Sequence, residues 1–235
     1  MNKLEQIYEG KAKKVFKTED PDLLIVDYKD DATAFNGEKK GQIKGKGVIN
    51  NQMSNRLMSM LETKGVPTHF VEEISERETI VKAVTIMPLE VIVRNISAGS
   101  FAKRYGVEEG IVFDEPTFEV SYKNDDLGDP LMCESHAVAL GIVTWDEIEK
   151  VKGYALKVNE ELKAFFIERG LKLVDFKIEF GKTSTGEIIL ADEISPDTCR
   201  LWDVETNKKM DKDRFRRDLG DVEETYQEVF ERIEK

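Results

Sequence analysis

The amino-acid sequence predicts a mixed α+β fold, organised as one large domain or as two lobes. Its 235 residues are enough to bury a sizeable core. Runs that alternate apolar with charged side chains, as half-buried strands do, occur near both ends of the chain. Three longer segments instead repeat apolar residues at helical spacing. Pro88 interrupts an apolar run and indicates a hinge or lobe boundary at residues 87–88.

Composition restricts the possible partners. The chain carries 47 acidic against 35 basic residues, a net charge of −12, which argues against a nucleic-acid partner. No apolar run reaches the length of a membrane span, and the first residues lack the apolar core of a signal peptide, so we expect a cytoplasmic protein. Two histidines and two widely spaced cysteines offer neither a zinc site nor a disulfide framework.

The first third of the chain begins with two predicted strands within 7–16, joined through a tight turn at Gly10, and a third predicted strand at 23–28. Lys11 and Lys13 share one side of an extended chain, and a glycine turn with lysines is one way to hold phosphates. A surface hairpin with basic residues is the alternative. The glycine-rich polar run 29–47 predicts a loop that is either functional or mobile.

The middle of the chain continues with a helix that contains Ile49 to Leu61, followed by strands at 69–71 and 79–87. A strand at 89–96 then runs into a small-residue turn and a short helix at 101–105. Arg94 and Ser100, with a helix N-terminus, suit a phosphate, although Ser100 could equally serve only as a helix cap. The acidic turn 122–130 includes Asp129, for which turn capping is the alternative role.

The last third combines two helices with a predicted β-hairpin. Thr144 and Glu147 form a capping box that opens a helix closed by Gly170, and an apolar helical stripe follows Asp211. Between them, 173–181 and 188–194 alternate apolar and charged residues. The segment 195–203, which carries Arg200, is predicted to be a loop.

On the first strand of this hairpin, the alternation places Asp175, Lys177 and Glu179 on one face. Asp192 of the returning strand can lie opposite Glu179. Two facing carboxylates repel unless a cation lies between them, and Mg²⁺ shared with substrate phosphates is the usual solution. A solvated ladder of charges is the alternative.

Two anion sites in an acidic chain therefore predict an Mg-ATP-dependent enzyme that acts on a second anionic small molecule. The first site comprises Lys11, Lys13 and the carboxylate pair, and the second comprises Arg94, Ser100 and Arg200. Phosphoryl transfer requires no serine–histidine or cysteine–histidine pair, because positioning and electrostatics do most of the catalytic work.

Several motifs carry a family resemblance. The stretches MPLEVIVRNISAGS at 87–100 and LVDFKIEFG at 173–181 resemble the two signatures of the SAICAR synthetases, the phosphoribosylaminoimidazole-succinocarboxamide synthases of purine biosynthesis. YEGKAK at 8–13, SPD at 195–197, RLWD at 200–203 and MDKDRFR at 210–216 also resemble that family. The resemblance covers nearly the whole chain, in order.

The resemblance implies a two-lobed α+β fold, ATP-grasp-like, with the nucleotide in a cleft between an N-terminal lobe (1–88) and a C-terminal lobe (89–235). It implies an ATP-dependent ligase that joins L-aspartate to carboxyaminoimidazole ribonucleotide (CAIR), and a homodimer that binds neither nucleic acid nor membrane. The implied site residues are, for ATP, Lys11, Ala12, Lys13, Val15, Lys82, Val84 and Met87; for the other substrates, Arg94, Ser100, Lys123, Asp129, Arg200, Asn36 and Gly37; for Mg²⁺, Glu179 and Asp192; and for catalysis, Lys177 and Asp175. A small-molecule kinase and a non-catalytic nucleotide sensor are the competing functions.

Overall fold

The computed structural model describes residues 1–34 and 37–235. The N-terminal third forms a five-stranded antiparallel sheet in the order β1-β2-β3-β7-β6, a separate β4-β5 hairpin and one long helix. The elements are β1 (Gln6–Glu9), β2 (Lys13–Lys17), β3 (Leu23–Tyr28), β4 (Asp31–Ala34), β5 (Lys39–Gln42), α1 (Lys46–Thr63), β6 (Phe70–Glu73) and β7 (Glu78–Lys82).

The rest of the chain builds a seven-stranded sheet and five helices. These elements are β8 (Thr85–Ile86), β9 (Leu89–Ile96), α2 (Gly99–Tyr105), β10 (Val112–Tyr122), β11 (Leu131–Met132), α3 (Glu134–Ala139), α4 (Trp145–Ile167), β12 (Leu171–Lys182), β13 (Ile188–Ala191), β14 (Cys199–Asp203), α5 (Asp213–Arg216) and α6 (Val222–Glu234), with a 3₁₀ turn at Asp125–Leu127. The main order is β11-β10-β9-β12-β13, and β8 and β14 also pair with β12. Strand β12 is therefore the centre of the sheet.

The main core lies between β12 and α4, as the apolar patterns predict. Phe176, Ile178 and Phe180 alternate along β12 and are almost fully buried. The predicted apolar face of α4 is buried from Ile148 to Phe166. The capping box at Thr144 and Glu147 is confirmed in both of its hydrogen bonds. Because one face of β12 is buried in this way, its alternate residues are held on the opposite face.

Three sequence expectations differ from the structure. The 29–47 segment is not a continuous loop, since β4 and β5 pair there and Phe215 packs over Gly41. The segment that carries Arg200 is a strand, because β14 pairs with β12. The C-terminal stripe is divided into α5 and α6, since Asp218, Gly220 and Asp221 adopt positive φ angles between them. Within the described residues, no helix has both the length and the apolar content of a membrane span.

Candidate active site

The two sheets meet at an ion pair. The Lys13 ammonium on β2 lies 2.5 Å from the Asp192 carboxylate, directly after β13. Asp192 has a φ of 62°, a left-handed conformation that turns its side chain back toward the five-stranded sheet. Glu193 follows, and one of its carboxylate oxygens lies 3.6 Å from the same ammonium. Lys13 is thus held between two consecutive acids of the larger sheet.

Lys177 bridges Glu179 and Asp192, the two acids that the sequence predicts to lie close together. Its ammonium donates to Glu179 at 2.7 Å and to Asp192 at 3.1 Å. The strand partner of Glu179 is Ala191 rather than Asp192, so the two carboxylates converge on a shared lysine instead of facing each other across the ladder. Lys123 contacts the second oxygen of Glu179. A chain of alternating charges therefore runs from the first sheet into the second.

Charge and burial together set the ionisation of the side chains in this ion-pair chain. Although burial favours the neutral form of Asp192, the charges of Lys13 and Lys177 hold its pKa well below the usual range. Burial opposes the charged form of Lys177, but the carboxylates of Asp192 and Glu179 raise its pKa well above the ordinary value. For Glu193, burial prevails and raises the pKa. The central pair is thus firmly ionised.

Beside the ion-pair chain lies a cavity of about 250 Å³ that is lined by arginines. Asp175 on β12 accepts from Arg94 at 2.7 Å and from Arg200 at 3.0 Å. The hydroxyl of Ser100 accepts from Arg94 at 3.4 Å. Arg200 also donates to Asp213 at 3.0 Å. Each arginine side chain is therefore fixed by carboxylates in a place where its remaining donors can meet an anionic ligand.

Gly99 permits this arrangement. A Cβ at this position would lie 2.3 Å from the Arg200 guanidinium, and its φ of 54° is left-handed. No other residue type leaves this space free.

Lys177 also lines the arginine cavity, so the two sites adjoin. The structure brings together nine of the predicted site residues, some in the ion-pair chain and others in the cavity. With Lys123 and Asp192, which belong to the same ion-pair chain, they are Lys13, Arg94, Ser100, Lys123, Asp175, Lys177, Glu179, Asp192 and Arg200.

The other predicted nucleotide residues lie on or near the N-terminal sheet and the segment that leaves it. The Ala12 carbonyl accepts from the Lys29 amide, and Val15 packs in the small core beside Val26. Lys82 donates to the Thr68 carbonyl at 2.9 Å. Val84 packs over Gly181, and the Met87 amide donates to the Phe180 carbonyl at 2.8 Å. The segment 82–87 therefore borders β12 near its C-terminal end.

The remaining predicted residues are less central. Lys11 forms an exposed ion pair with Asp125 at 3.1 Å. Asp129, with a φ of 49°, accepts from the Asn124 amide at 2.9 Å. Gly37 has a φ of 89°, and Asn36 lies outside the described residues.

Sequence reasoning assigned no role to three acids of this region, which are Glu90, Glu193 and the Arg200 partner Asp213. Glu90 lines the cavity and lies 3.7 Å from Lys177. It alternates along β9 with Ile92 and Arg94, so the period of two was the signal that could have found it. Glu193 carried no such signal, because a strict alternation would point it away from Asp192.

The donor set fits a magnesium ion that is shared with a ligand. Within residues 1–34 and 37–235, no three histidine, cysteine or acidic residues form a ready metal cluster. Glu179 and Asp192 nevertheless present hard oxygen donors on one shared cation, and Mg²⁺ commonly takes one or two carboxylates plus substrate phosphates. Their lysine partners show that this place accommodates positive charge.

Residues 6–233 match the sequence profile of the SAICAR synthetases. The chain belongs to the SAICAR synthetase family. It is 64% identical over 233 residues to a phosphoribosylaminoimidazole-succinocarboxamide synthase of Lachnoclostridium phytofermentans, with 99% of each chain covered.

Solved structures of the SAICAR synthetase family share the fold as well. A phosphoribosylaminoimidazole-succinocarboxamide synthase from Ehrlichia chaffeensis superposes with a TM-score of 0.96 at 48% identity, over 98% of both chains. A SAICAR synthetase in complex with ADP superposes with a TM-score of 0.93 at 51% identity, over 96% of both chains.

Proposed function

We propose that this chain is an ATP-dependent ligase of purine biosynthesis. It joins L-aspartate to the carboxylate of CAIR and yields the succinocarboxamide SAICAR, ADP and phosphate. The observation that carries this proposal is the position of Lys177, which lies between the carboxylate pair and the arginine cavity. A phosphate donor and a phosphorylated acid held on either side of it are placed for group transfer.

The nucleotide site uses the junction of the two sheets. Lys11, Lys13 and the backbone at Ala12 hold the phosphates, because a glycine turn with lysines supplies amides and ammonium groups. The adenine base of ATP lies against the segment 82–87. It packs on the apolar side chains of Val84 and Met87, with Val15 on its other side. The proposed lobes are 1–88 for ATP and 89–235 for the ribonucleotide and metal sites.

The ribonucleotide occupies the arginine cavity. Arg94, Arg200 and Ser100 bind its phosphate, since a forked guanidinium matches phosphate oxygens. Asp175 holds both arginines in place and contributes through them. Lys123 and Asp129, at the edge of the larger sheet, contact the sugar or the reacting end of the same substrate.

The chemistry follows from the weakness of a carboxylate as an acylating group. A CAIR carboxylate oxygen attacks the γ-phosphorus of ATP, the bond to the bridging oxygen breaks, and ADP leaves. The aspartate nitrogen then attacks the acyl carbon and loses a proton, and phosphate departs with the former carboxylate oxygen. Lys177 lies beside the reacting carboxylate and stabilises the developing negative charge in a desolvated place.

Magnesium, aspartate and assembly complete the proposal. Glu179 and Asp192 hold Mg²⁺, which when bound neutralises phosphate charge and polarises the transferred group. Asn36 and Gly37 contact L-aspartate. The enzyme works in the cytoplasm as a homodimer and uses no nucleic acid or membrane.

A coupled ADP-release assay tests the function. ADP should appear only when ATP, CAIR and L-aspartate are all present, with free phosphate and an amide product in equal amounts. A phosphorylated product without amide would indicate a kinase, and nucleotide binding without ADP release would indicate a sensor. Either result refutes the ligase assignment.

A further inference from the structure

The ion-pair chain contains one acid that the proposed mechanism does not use. Glu193 is buried to 96%, and one of its carboxylate oxygens has no hydrogen-bond partner among the described residues. That oxygen lies 3.6 Å from the Lys13 ammonium, just beyond hydrogen-bond distance. An oxygen of Asp192 accepts from the same ammonium at 2.5 Å. A buried carboxylate left incompletely satisfied is costly, so it has reason to gain a partner.

Asp192 cannot serve a metal and Lys13 equally well. The Asp192 oxygen that contacts Lys13 is one of only two, and the other already accepts from Lys177. When Asp192 turns toward a metal–nucleotide, a desolvated ammonium loses its close partner. Glu193 lies on the other side of Lys13 with an oxygen free to accept.

We propose that Glu193 is the alternative partner of Lys13, which holds this ammonium beside the phosphates when Asp192 turns to a metal ion. Glu193 is then a positioning residue for nucleotide binding rather than a group that touches the reacting atoms. This inference rests on the proposed nucleotide and metal sites. Its consequence is that removal of Glu193 makes Asp192 harder to release to the metal.

The test measures ADP binding by calorimetry across a series of Mg²⁺ concentrations and in EDTA. Glu193→Gln keeps the size of the side chain and removes its charge. We expect the Mg²⁺ concentration that half-maximally tightens ADP binding to rise about tenfold. The affinity for ADP in EDTA should not fall, because Lys13 stays with Asp192. Glu193→Asp should return the Mg²⁺ midpoint toward the wild-type value.

Glu62 provides a matched control. It lies 3.5 Å from Lys82, another lysine of the N-terminal third, but Lys82 forms no ion pair with Asp192 in the described chain. Glu62→Gln should leave the Mg²⁺ midpoint unchanged, and an equal shift in both variants would overturn the proposal.

The outcomes also separate this inference from the proposed function. If Glu193→Gln lowers the melting temperature but leaves the Mg²⁺ midpoint in place, Glu193 is merely structural and the inference is wrong. If wild-type ADP binding does not respond to Mg²⁺ at all, both the metal assignment and the role of Glu193 are wrong.

Discussion

Substitution of Gly99 by alanine tests whether the Arg200 guanidinium must occupy its observed place for the ribonucleotide to bind. The added Cβ would lie 2.3 Å from a terminal nitrogen of Arg200, whereas ordinary contacts begin at 3.4 Å. The guanidinium must therefore move by about 1 Å. Its 3.0 Å bonds to Asp175 and Asp213 leave no room for such a shift without loss of at least one of them.

The magnitude follows from the bond that is lost. A hydrogen bond to a charged group contributes about 1.5–3 kcal/mol, and each 1.4 kcal/mol is about tenfold in affinity. We expect Gly99→Ala to raise the KM for the ribonucleotide about ten- to hundredfold. The KM for ATP should change by less than about threefold, because Lys13 and its partners do not contact Gly99. Initial rates with each substrate varied in turn measure both.

Gly106 at the other end of α2 separates the contact from backbone strain. Its φ of 64° resembles the 54° of Gly99, but an added Cβ would meet nothing within 4 Å. In both variants the left-handed backbone should therefore lower the free energy of unfolding by about 1–2 kcal/mol, which would be measured as a lower melting temperature. Only Gly99→Ala should weaken ribonucleotide binding. If both variants change the ribonucleotide KM equally, displacement of Arg200 is not the cause.

The remaining predictions concern the carboxylate pair, the arginine cavity and one buried acid. Glu179→Gln combined with Asp192→Asn should abolish ADP release while circular dichroism shows a folded chain; full activity at ordinary magnesium would refute the metal assignment. Arg94→Ala should raise the ribonucleotide KM about ten- to hundredfold and that for ATP far less, and equal changes would remove Arg94 from the substrate pocket. Burial, with the nearby charge of Asp213, raises the pKa of Asp211 to about 7. Between about pH 4 and 7 the folded chain thus holds a proton that the unfolded chain releases, so this group loses stabilisation as pH rises, by up to about 1.4 kcal/mol per pH unit. Urea unfolding should therefore show that Asp211→Asn costs more stability at pH 5 than at pH 7, and a difference independent of pH would contradict the raised pKa.

Short-range periodicity was enough to predict β12, the strand that carries Asp175, Lys177 and Glu179. The period of two along β12 separates Phe176 and Ile178, which pack in the apolar core, from Lys177 and Glu179 on the opposite, charged face. The capping box at Thr144 was equally readable, since its partners are three residues apart.

Contacts between distant segments could not be read in this way. The approach of Gly99 to Arg200 depends on the pairing of β14 with β12, in a segment whose sequence reads as a loop. Glu193 was missed because alternation sends it away from Asp192. The left-handed φ of Asp192 breaks that alternation and lets both acids reach Lys13. A backbone conformation rather than a residue pattern therefore builds this part of the site.

The spacing along β12 accounts for how one strand serves both proposed substrates. Asp175, Lys177 and Glu179 follow at intervals of two residues, which is about 7 Å per step along a strand. Asp175 fixes the arginines of the cavity, Glu179 belongs to the carboxylate pair, and Lys177 lies between them. A phosphorylated acid bound at one end and a nucleoside triphosphate at the other thus bring their reacting groups to the same ammonium. A one-residue slip of β12 would turn all three side chains into the core, so the buried face of this strand is also what holds the two proposed sites in register.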